Sequence, residues 1–251
     1  MRKRHNPESL KKDFFPNDIH DYRIDREQFI AYVGTDPGYY YTTDDASEMG
    51  VESRMADRFQ TNMMTLSGID NKRPILVVQS SCGGLWEPGM QMFSSILYCP
   101  NPVTVLATKW ARSMTSLIPL AADKFIIRPP TQYMYHRGYF AFDGLDQEMD
   151  TDDRERRKSR ELMYRIYVSR LKEQGKFMSW SSKRIRNMLE YHTRHEIDKW
   201  LSPHEAVEWG FADEVENSSY SIQRAETRNV ARRRRMKHVL NRDIKVEVVI
   251  S

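Results

Sequence analysis

The middle of the chain alternates between short apolar segments and helical patterns, and this alternation constrains the fold more than any other feature. Residues 74–78 (PILVV) form a continuous apolar run, which is typical of a strand covered on both faces. A helix is predicted from about Pro88, and further strands are predicted over 102–107, 124–127 and 131–136, with a short apolar helix over 114–122. Strands and helices in this order predict an α/β fold with mostly parallel strands.

The flanking segments extend this pattern. A short strand is predicted over 28–34, and an amphipathic helix follows from the apolar stripe Val51, Met55, Phe59, Met63 and Leu66. A long, heavily charged helix is predicted over 150–175, and shorter helices over 182–191 and 203–209. Ser202 and Glu205 predict a capping box for the last of these, which Gly210 ends. Residues 244–250 (IKVEVVI) fit either a final strand or a tail segment that pairs with a neighbouring molecule.

Composition indicates one core with charged extensions. Of the 251 residues, 39% are hydrophobic and 29% charged, and the mean hydropathy is −0.71. We therefore predict a polar arm over 1–26, a single domain over 27–217 and a basic extension over 218–251. The arginine-rich stretch 228–237 is typical of a solvated tail. Binding of nucleic acid by this stretch is the less favoured alternative.

Cysteine content and hydropathy bound the cellular setting. Cys82 and Cys99 are too few for a disulfide framework and lack the Cys/His spacing of a zinc site. We therefore expect a reduced, cytoplasmic setting with no metal or other cofactor. No apolar run approaches the 18 or so residues needed to cross a bilayer, and the N-terminus lacks the apolar region of a secretory signal.

Three short segments could carry chemistry. Ser80-Ser81-Cys82-Gly83-Gly84 follows a predicted strand, so its glycines form either a plain tight turn or a nest of N–H groups that binds an anion. Ser113 begins a predicted helix, as either its N-cap or a nucleophile held at a rigid junction. His136 ends a predicted strand and is either structural or catalytic.

Taken together, residues 74–138 resemble the ATP-dependent Clp protease proteolytic subunit family, ClpP. That family has Asn-Ser-Pro-Gly-Gly after an apolar strand, Gly-Gln-Ala-Ala-Ser-Met-Gly-Ala around its nucleophile and Met-Ile-His-Gln-Pro around its histidine. The counterparts here are SSCGG (80–84), KWARSMTS (109–116) and MYHRG (134–138). A longer match follows, because DKWLSPHEAVEWGFAD (198–213) is similar to the family's DRFLSAPEAVEYGLVD. The resemblance spans roughly residues 29–216.

The resemblance implies a ClpP/crotonase-like spiral of ββα units with a protruding handle helix, for which the charged helix over 150–175 is the counterpart. It implies a serine endopeptidase with Ser113, His136 and Asp198 as its triad and the N–H groups of Gly84 and Met114 as its oxyanion hole. The expected partners are unfolded polypeptide substrates, further copies of the chain in a homo-oligomeric ring and an AAA+ unfoldase such as ClpX. No membrane partner is expected.

The chain also departs from the family pattern near the predicted nucleophile. Cys82 replaces a proline, while Lys109, Trp110 and Arg112 replace small or neutral residues. Thr115 and Ser116 replace Gly-Ala, and Ile197 replaces an arginine that helps to pair two rings. Residues 139–144 are aromatic where the family has a glycine-rich segment that pairs with the substrate.

Three other functions compete with a working peptidase. One is a scaffold or regulatory subunit of the same fold, suggested by the crowded surroundings of Ser113. Another is a crotonase-like acyl-CoA enzyme, which shares the spiral fold but needs no Ser-His-Asp triad at these positions. The last is nucleic-acid binding by the basic stretch 228–237, which would weaken as salt is raised.

Overall fold

A computed structural model describes residues 19–34, 50–138, 146–217 and 222–244. The strands in chain order are β1 (Ile24–Asp25), β2 (Ile30–Val33), β3 (Ile75–Gln79), β4 (Val103–Ala107), β5 (Ala111–Arg112), β6 (Lys124–Ile127), β7 (Tyr133–Tyr135), β8 (Lys199–Leu201) and β9 (Glu214–Val215). The helices are α1 (Ser53–Ile69), α2 (Trp86–Leu97), α3 (Met114–Leu117), α4 (Asp146–Leu171), α5 (Ser182–His195), α6 (Pro203–Trp209) and α7 (Val230–Leu240). A 3₁₀ turn, Ile118–Ala121, continues α3. The predicted α/β class is therefore correct.

The strands form two sheets. The larger has the order β1-β2-β3-β4-β6-β9, in which only the edge pair β1–β2 is antiparallel. The smaller has the order β5-β7-β8, with β5 parallel and β8 antiparallel to β7. Two neighbouring parallel strands need a crossover connection, and α2 supplies it between β3 and β4. Strand 131–136 thus belongs to a second sheet rather than continuing the first.

Side chains of the parallel strands alternate between two apolar layers. Ile75 and Val77 point into the main core with the buried faces of α1 and α2, whereas Leu76 lies in a small cluster on the opposite face with Leu106 and Ile126. Ile222, from the segment after β9, packs on that small cluster. Both faces of the central strands are therefore covered, as the apolar run at 74–78 predicts.

Helix boundaries follow local chemistry. Helix α2 begins at Trp86, so Pro88 lies in its first turn, where a missing N–H costs no intrahelical bond. The predicted capping box of α6 is present: Glu205 N–H donates to Ser202 Oγ and Ser202 N–H donates to the Glu205 carboxylate. Gly210 ends α6 with φ 101°, a left-handed conformation suited to glycine. Helix α4 begins and ends four residues earlier than the predicted 150–175.

The predicted N-terminal arm over residues 1–26 includes two residues that belong to the large sheet. Ile24 and Asp25 are only 5% and 4% exposed, and they form β1 against Ala31 and Ile30. The prediction of an irregular arm is wrong for these two residues, because a two-residue strand is too short to show any periodicity in sequence. Residues 1–18 and the predicted strand segment 245–250 lie outside the described residues.

The arginine-rich stretch is not a solvated tail. Arg232 and Arg233 of α7 are 2% and 5% exposed, because α7 packs against the domain and places acidic partners opposite them. Arg232 Nη2 donates to Asp213 Oδ1 at 2.8 Å, and its Nε donates to Glu173 Oε1 at 2.8 Å. This prediction is therefore wrong for the two buried arginines, whereas Arg234 and Arg235 are exposed as expected.

Asp213 is the shared acceptor of this ionic cluster. It also accepts from Arg170 Nη2 at 2.8 Å and from the N–H of Phe125 at 2.7 Å. Burial acts to raise the pKa of Asp213, but Arg170 and Arg232 together lower it to about 2. The carboxylate therefore stays ionised in the core and ties α4 and α7 to the start of β6.

No helix of the described ranges is long and apolar enough to cross a membrane.

Candidate active site

The small sheet brings the three predicted triad residues to one edge. Ser113 directly follows β5 and His136 directly follows β7, and these strands run parallel, with Arg112 opposite Met134. Asp198 directly precedes β8, which runs antiparallel to β7. The start of an antiparallel strand lies at the same edge as the ends of its neighbours. The pairing of three very short strands therefore places residues 113, 136 and 198 together.

The side-chain atoms are within hydrogen-bond distance in a linear order. His136 Nε2 lies 2.8 Å from Ser113 Oγ, and His136 Nδ1 lies 3.1 Å from Asp198 Oδ1. The His136 side chain is 11% exposed and that of Asp198 is 31% exposed. The site therefore combines a shielded imidazole with a hydroxyl on one side and a carboxylate on the other.

The backbone at Ser113 is strained. Its φ of 53° and ψ of −129° lie outside the regions that a non-glycine residue ordinarily occupies. Ser113 has the N-cap position of α3, but its side chain makes no capping hydrogen bond. The helix-cap interpretation therefore does not account for this serine. A strained serine in a sharp strand-to-helix turn is typical of a nucleophile whose hydroxyl must project from the junction.

The protonation of His136 follows from its surroundings. Burial lowers the pKa of His136 below its ordinary value of 6.5, although Asp198 acts to raise it, and the positive charge of Arg112 lowers it further. The imidazole is therefore neutral at neutral pH. A neutral imidazole can accept a proton from the hydroxyl at its Nε2.

The glycine turn after β3 lies against the nucleophile turn. A Cβ on Gly83 would come within 2.6 Å of Ser113 Cβ and 3.1 Å of the Met114 nitrogen, and Gly83 has φ +105°. Only glycine meets both demands at this position. The Val51 N–H donates to the Gly83 carbonyl, and the Val51 carbonyl accepts from the Leu85 N–H. Val51 and Gly84 therefore form an isolated parallel β-bridge.

The two predicted oxyanion donors are in this region. Neither the N–H of Gly84 nor that of Met114 takes part in the backbone hydrogen bonds that the described residues form outside their helices and strands. Gly84 is exposed, and Met114 occupies the first position of α3, where an N–H has no intrahelical acceptor. Neither N–H group therefore has a backbone acceptor among these bonds, and Met114 as a residue is only 5% exposed.

The family can now be assigned from comparison with known proteins. The sequence model of the Clp protease family matches residues 47–219, which is more than half of the chain. The chain belongs to the Clp protease family. This membership confirms the resemblance found in the sequence and supports a serine peptidase function in general terms.

Similar proteins show how far the chain has diverged. The ATP-dependent Clp protease proteolytic subunit 1 of Protochlamydia amoebophila (strain UWE25) is 28% identical over 177 residues, which cover 69% of this chain and 80% of that protein. The ATP-dependent Clp protease proteolytic subunit of Deinococcus radiodurans is 26% identical over 167 residues, which cover 66% of this chain and 76% of that protein.

A solved structure gives the same fold. A ClpP1 variant from Listeria monocytogenes aligns with a TM-score of 0.59 at 22% identity, covering 77% of this chain and 94% of that one. The predicted ClpP-type spiral is therefore confirmed. The role of α4 as a handle between rings stays a prediction.

The departures from the Clp protease pattern pack against one another. The Arg112 guanidinium lies over the Trp110 ring, 3.9 Å from its centroid, and Arg112 Nε donates to the Cys82 carbonyl at 3.3 Å. A cation over an aromatic face is attracted to it. These three replacements therefore form one arrangement that connects the glycine turn to the nucleophile turn.

The sequence did not predict the buried polar residues that lie behind Ser113. Thr115 and Ser116 are replacements that suggest disruption, yet both are fully buried and hydrogen-bonded. The available signal was a pair of polar residues inside an otherwise apolar helix, because buried hydroxyl groups require partners.

Within the described ranges, no group of three or more His, Cys, Asp or Glu side chains is arranged to hold a metal ion.

Proposed function

We propose that this member of the Clp protease family is a serine endopeptidase that cleaves unfolded polypeptides, with Ser113, His136 and Asp198 as its catalytic triad. The observation that carries the proposal is the continuous line of contacts from Ser113 Oγ to His136 at 2.8 Å and from His136 to Asp198 at 3.1 Å. Family membership supports the same chemistry independently.

The proposed reaction begins with acylation. Ser113 Oγ attacks the peptide carbonyl while its proton passes to His136 Nε2, and Asp198 stabilises the resulting imidazolium through Nδ1–H. The carbonyl oxygen becomes an oxyanion, which the N–H groups of Gly84 and Met114 stabilise. As the tetrahedral intermediate collapses, His136 protonates the leaving amine and the acyl group stays on Ser113.

Deacylation repeats the same steps with water. His136 takes a proton from the water as its oxygen attacks the acyl carbonyl, and then returns this proton to Ser113 Oγ. Because His136 must begin each half-reaction neutral, its lowered pKa suits the role.

We further propose that the enzyme works as a homo-oligomeric ring that encloses its sites, and that an AAA+ unfoldase of the ClpX kind delivers substrates. The proposed ring and the proposed unfoldase partner are both based on membership of the Clp protease family alone. The expected cytoplasmic location also stays a prediction.

Covalent labelling tests the triad. A fluorophosphonate probe should label the wild-type protein, whereas Ser113→Ala should lose the label completely and His136→Ala should react at least about 10²-fold more slowly, since general-base assistance is worth 10²–10⁴. Ser202→Ala is a matched control, because Ser202 caps α6 with its hydroxyl and should not affect labelling. A folded oligomer that does not react, or that reacts equally as Ser113→Ala, would favour the scaffold alternative.

The pH dependence of turnover tests the surroundings of His136. We expect kcat/KM to fall on the acid side with a midpoint below 6.5, because only the neutral imidazole is active and burial lowers its pKa. Arg112→Gln removes a positive charge that also lowers this pKa, so its acid limb should move to higher pH. Arg112→Lys retains a charge and should keep the acid limb closer to that of the wild type. Identical profiles for all three proteins would contradict this account.

A further inference from the structure

A group of polar side chains lies buried directly behind the proposed nucleophile. Gln79, Thr115 and Ser116 are each 0% exposed, although they sit within the apolar core. Buried polar groups are costly unless they are hydrogen-bonded. Their bonding partners therefore indicate what these residues hold in place.

Thr115 faces the two turns that carry the proposed oxyanion donors. Its Oγ1 lies 2.8 Å from the carbonyl oxygen of Ser81 and 2.8 Å from that of Arg112. A threonine hydroxyl has one proton, so it is shared between these two acceptors in a three-centre hydrogen bond. Ser81 begins the glycine turn that leads to Gly84, and Arg112 lies two residues before Met114.

Only one of these two contacts is local. A threonine in the first turn of a helix often donates to the carbonyl three residues earlier, and the contact with Arg112 is of this kind. The contact with Ser81 joins residues that are 34 positions apart. It is not needed to begin α3, and it fixes the glycine turn relative to the nucleophile turn.

Neighbouring side chains strengthen the same connection. Gln79, at the end of β3, donates through Nε2 to the carbonyl of Thr115 at 2.9 Å and to that of Trp110 at 3.2 Å. Ser116 Oγ donates to the carbonyl of Ser113 at 2.7 Å. The backbone on both sides of the nucleophile is thus held by buried hydrogen bonds.

A tyrosine anchors this group to the long helix. The Tyr167 hydroxyl of α4 lies 2.9 Å from Ser116 Oγ, and Tyr133 donates to the carbonyl of Ser116 at 3.0 Å. Tyr167 is 1% exposed, so water does not compete for this contact. Thr115 therefore sits in a rigid frame, in which its hydroxyl is the direct side-chain link from α3 to the glycine turn.

We propose that the Thr115 hydroxyl is a positioning group, which sets the separation between the N–H groups of Gly84 and Met114 and thereby the stabilisation of the oxyanion. Two donors help only if both point at the position that the oxyanion takes in the transition state. Thr115 touches no substrate atom and acts through the two turns. The proposal rests on the proposed peptidase function.

The expected effect falls on turnover rather than on binding. Thr115→Val keeps the shape of the side chain and removes the hydroxyl, so the two turns lose their fully buried link, while the half-buried contact of Arg112 with the Cys82 carbonyl remains. Complete loss of one oxyanion donor costs about 10²–10³ in kcat, and misaimed donors should cost less. We expect kcat for a fluorogenic peptide to fall about tenfold, with KM changed less than twofold. Thr115→Ser retains the hydroxyl and should restore kcat to within about twofold of the wild type.

A matched control separates positioning from stability. Thr104 of β4 is also 0% exposed, and its hydroxyl accepts a hydrogen bond from the N–H of Ala225 at 2.8 Å, away from the site. Thr104→Val should lower the unfolding midpoint comparably and leave kcat unchanged. A peptide boronate gives a second readout, because Ser113 Oγ bonds to boron, its proton passes to His136, and a boronate oxygen takes the oxyanion position. Its inhibition constant should rise with Thr115→Val in parallel with the loss of kcat.

The possible outcomes separate a failure of the proposed function from a failure of the positioning proposal. If Ser113→Ala retains wild-type turnover, the proposed function fails and the positioning proposal fails with it. If Ser113→Ala is inactive but Thr115→Val matches Thr104→Val in kcat and boronate inhibition, only the positioning proposal fails. Should Thr115→Val not fold, Thr115→Ala and Thr115→Ser differ only by the hydroxyl, and a tenfold difference in kcat between them supports the proposal. If Thr115→Ala also fails to fold, the hydroxyl is structural and the proposal is wrong.

Discussion

Replacing Asp198 with asparagine should reduce kcat by about 10⁴-fold while leaving the fold intact. In a Ser-His-Asp triad the carboxylate accepts Nδ1–H and so holds the tautomer whose Nε2 can take the serine proton. An asparagine amide can donate to Nδ1 instead, which favours the wrong tautomer. Asp198 also raises the pKa of His136, so its loss makes the imidazolium less stable when it forms. Steady-state kinetics on a fluorogenic peptide would measure the decrease.

The control for this variant lies two residues away. Glu196→Gln removes a carboxylate from the same turn, but Glu196 pairs with His192 and Lys199 rather than with His136. Its kcat should stay within about twofold of the wild type. Thermal unfolding should be nearly unchanged in Asp198→Asn, because the side chain is 31% exposed at the start of β8. A well-folded Asp198→Asn protein with wild-type turnover would remove Asp198 from the mechanism.

Much of the large sheet could be predicted from local pattern. The apolar runs at 74–78 and 102–107 overlap strands β3 and β4, because strands buried on both faces are mostly apolar, with Gln79 and Thr104 as buried polar exceptions. Four residues of the predicted stripe, Met55, Phe59, Met63 and Leu66, lie in α1 because one helix face is buried. Val51 precedes the helix and bridges to Gly84, so the predicted stripe begins too early. In these segments the spacing of apolar residues over a few positions indicates which faces are buried, so a short stretch of sequence is enough to predict the element.

The small sheet could not be predicted in this way. Strand β5 has two residues and β8 has three, which is too short for the alternating pattern of a strand to be recognised. What brings residues 113, 136 and 198 together is the register between these strands, a long-range property. The sequence indicated the three residues through family motifs, and the distances between them came only from the folded chain.

For the arginine-rich helix α7, the prediction made from the charge pattern was wrong. A run of four arginines at 232–235 resembles a solvated segment, since like charges repel and bury poorly. The acidic side chains that accept Arg232 and Arg233 are Glu173, Asp213 and Asp123, which are distant in sequence. Because the local window contains none of them, charge pattern alone could not distinguish a buried arginine from an exposed one.

Replacing Arg233 with methionine should therefore destabilise the protein by about 3–5 kcal/mol, the cost typical of removing one partner of a buried ion pair. Arg233 Nε donates to Asp123 Oδ1 at 2.8 Å, and its Nη2 donates to the Asn101 carbonyl at 2.9 Å. The side chains of Arg233 and Asp123 are 6% and 1% exposed, so water cannot take over these contacts. Urea unfolding at a fixed protomer concentration would measure the loss, because any oligomer links stability to concentration.

The neighbouring residue on the same helix provides the control. Arg234 is exposed, so Arg234→Met makes the same chemical change without uncovering a buried carboxylate, and its effect should stay within about 0.5 kcal/mol. Adding Asp123→Asn to Arg233→Met should recover part of the loss, because a neutral amide costs less to bury than an unpaired carboxylate. Equal, small effects for Arg233→Met and Arg234→Met would mean that α7 is not packed on the core. In that case the arginines would be available for nucleic acid, and deletion of residues 228–237 would test binding rather than folding.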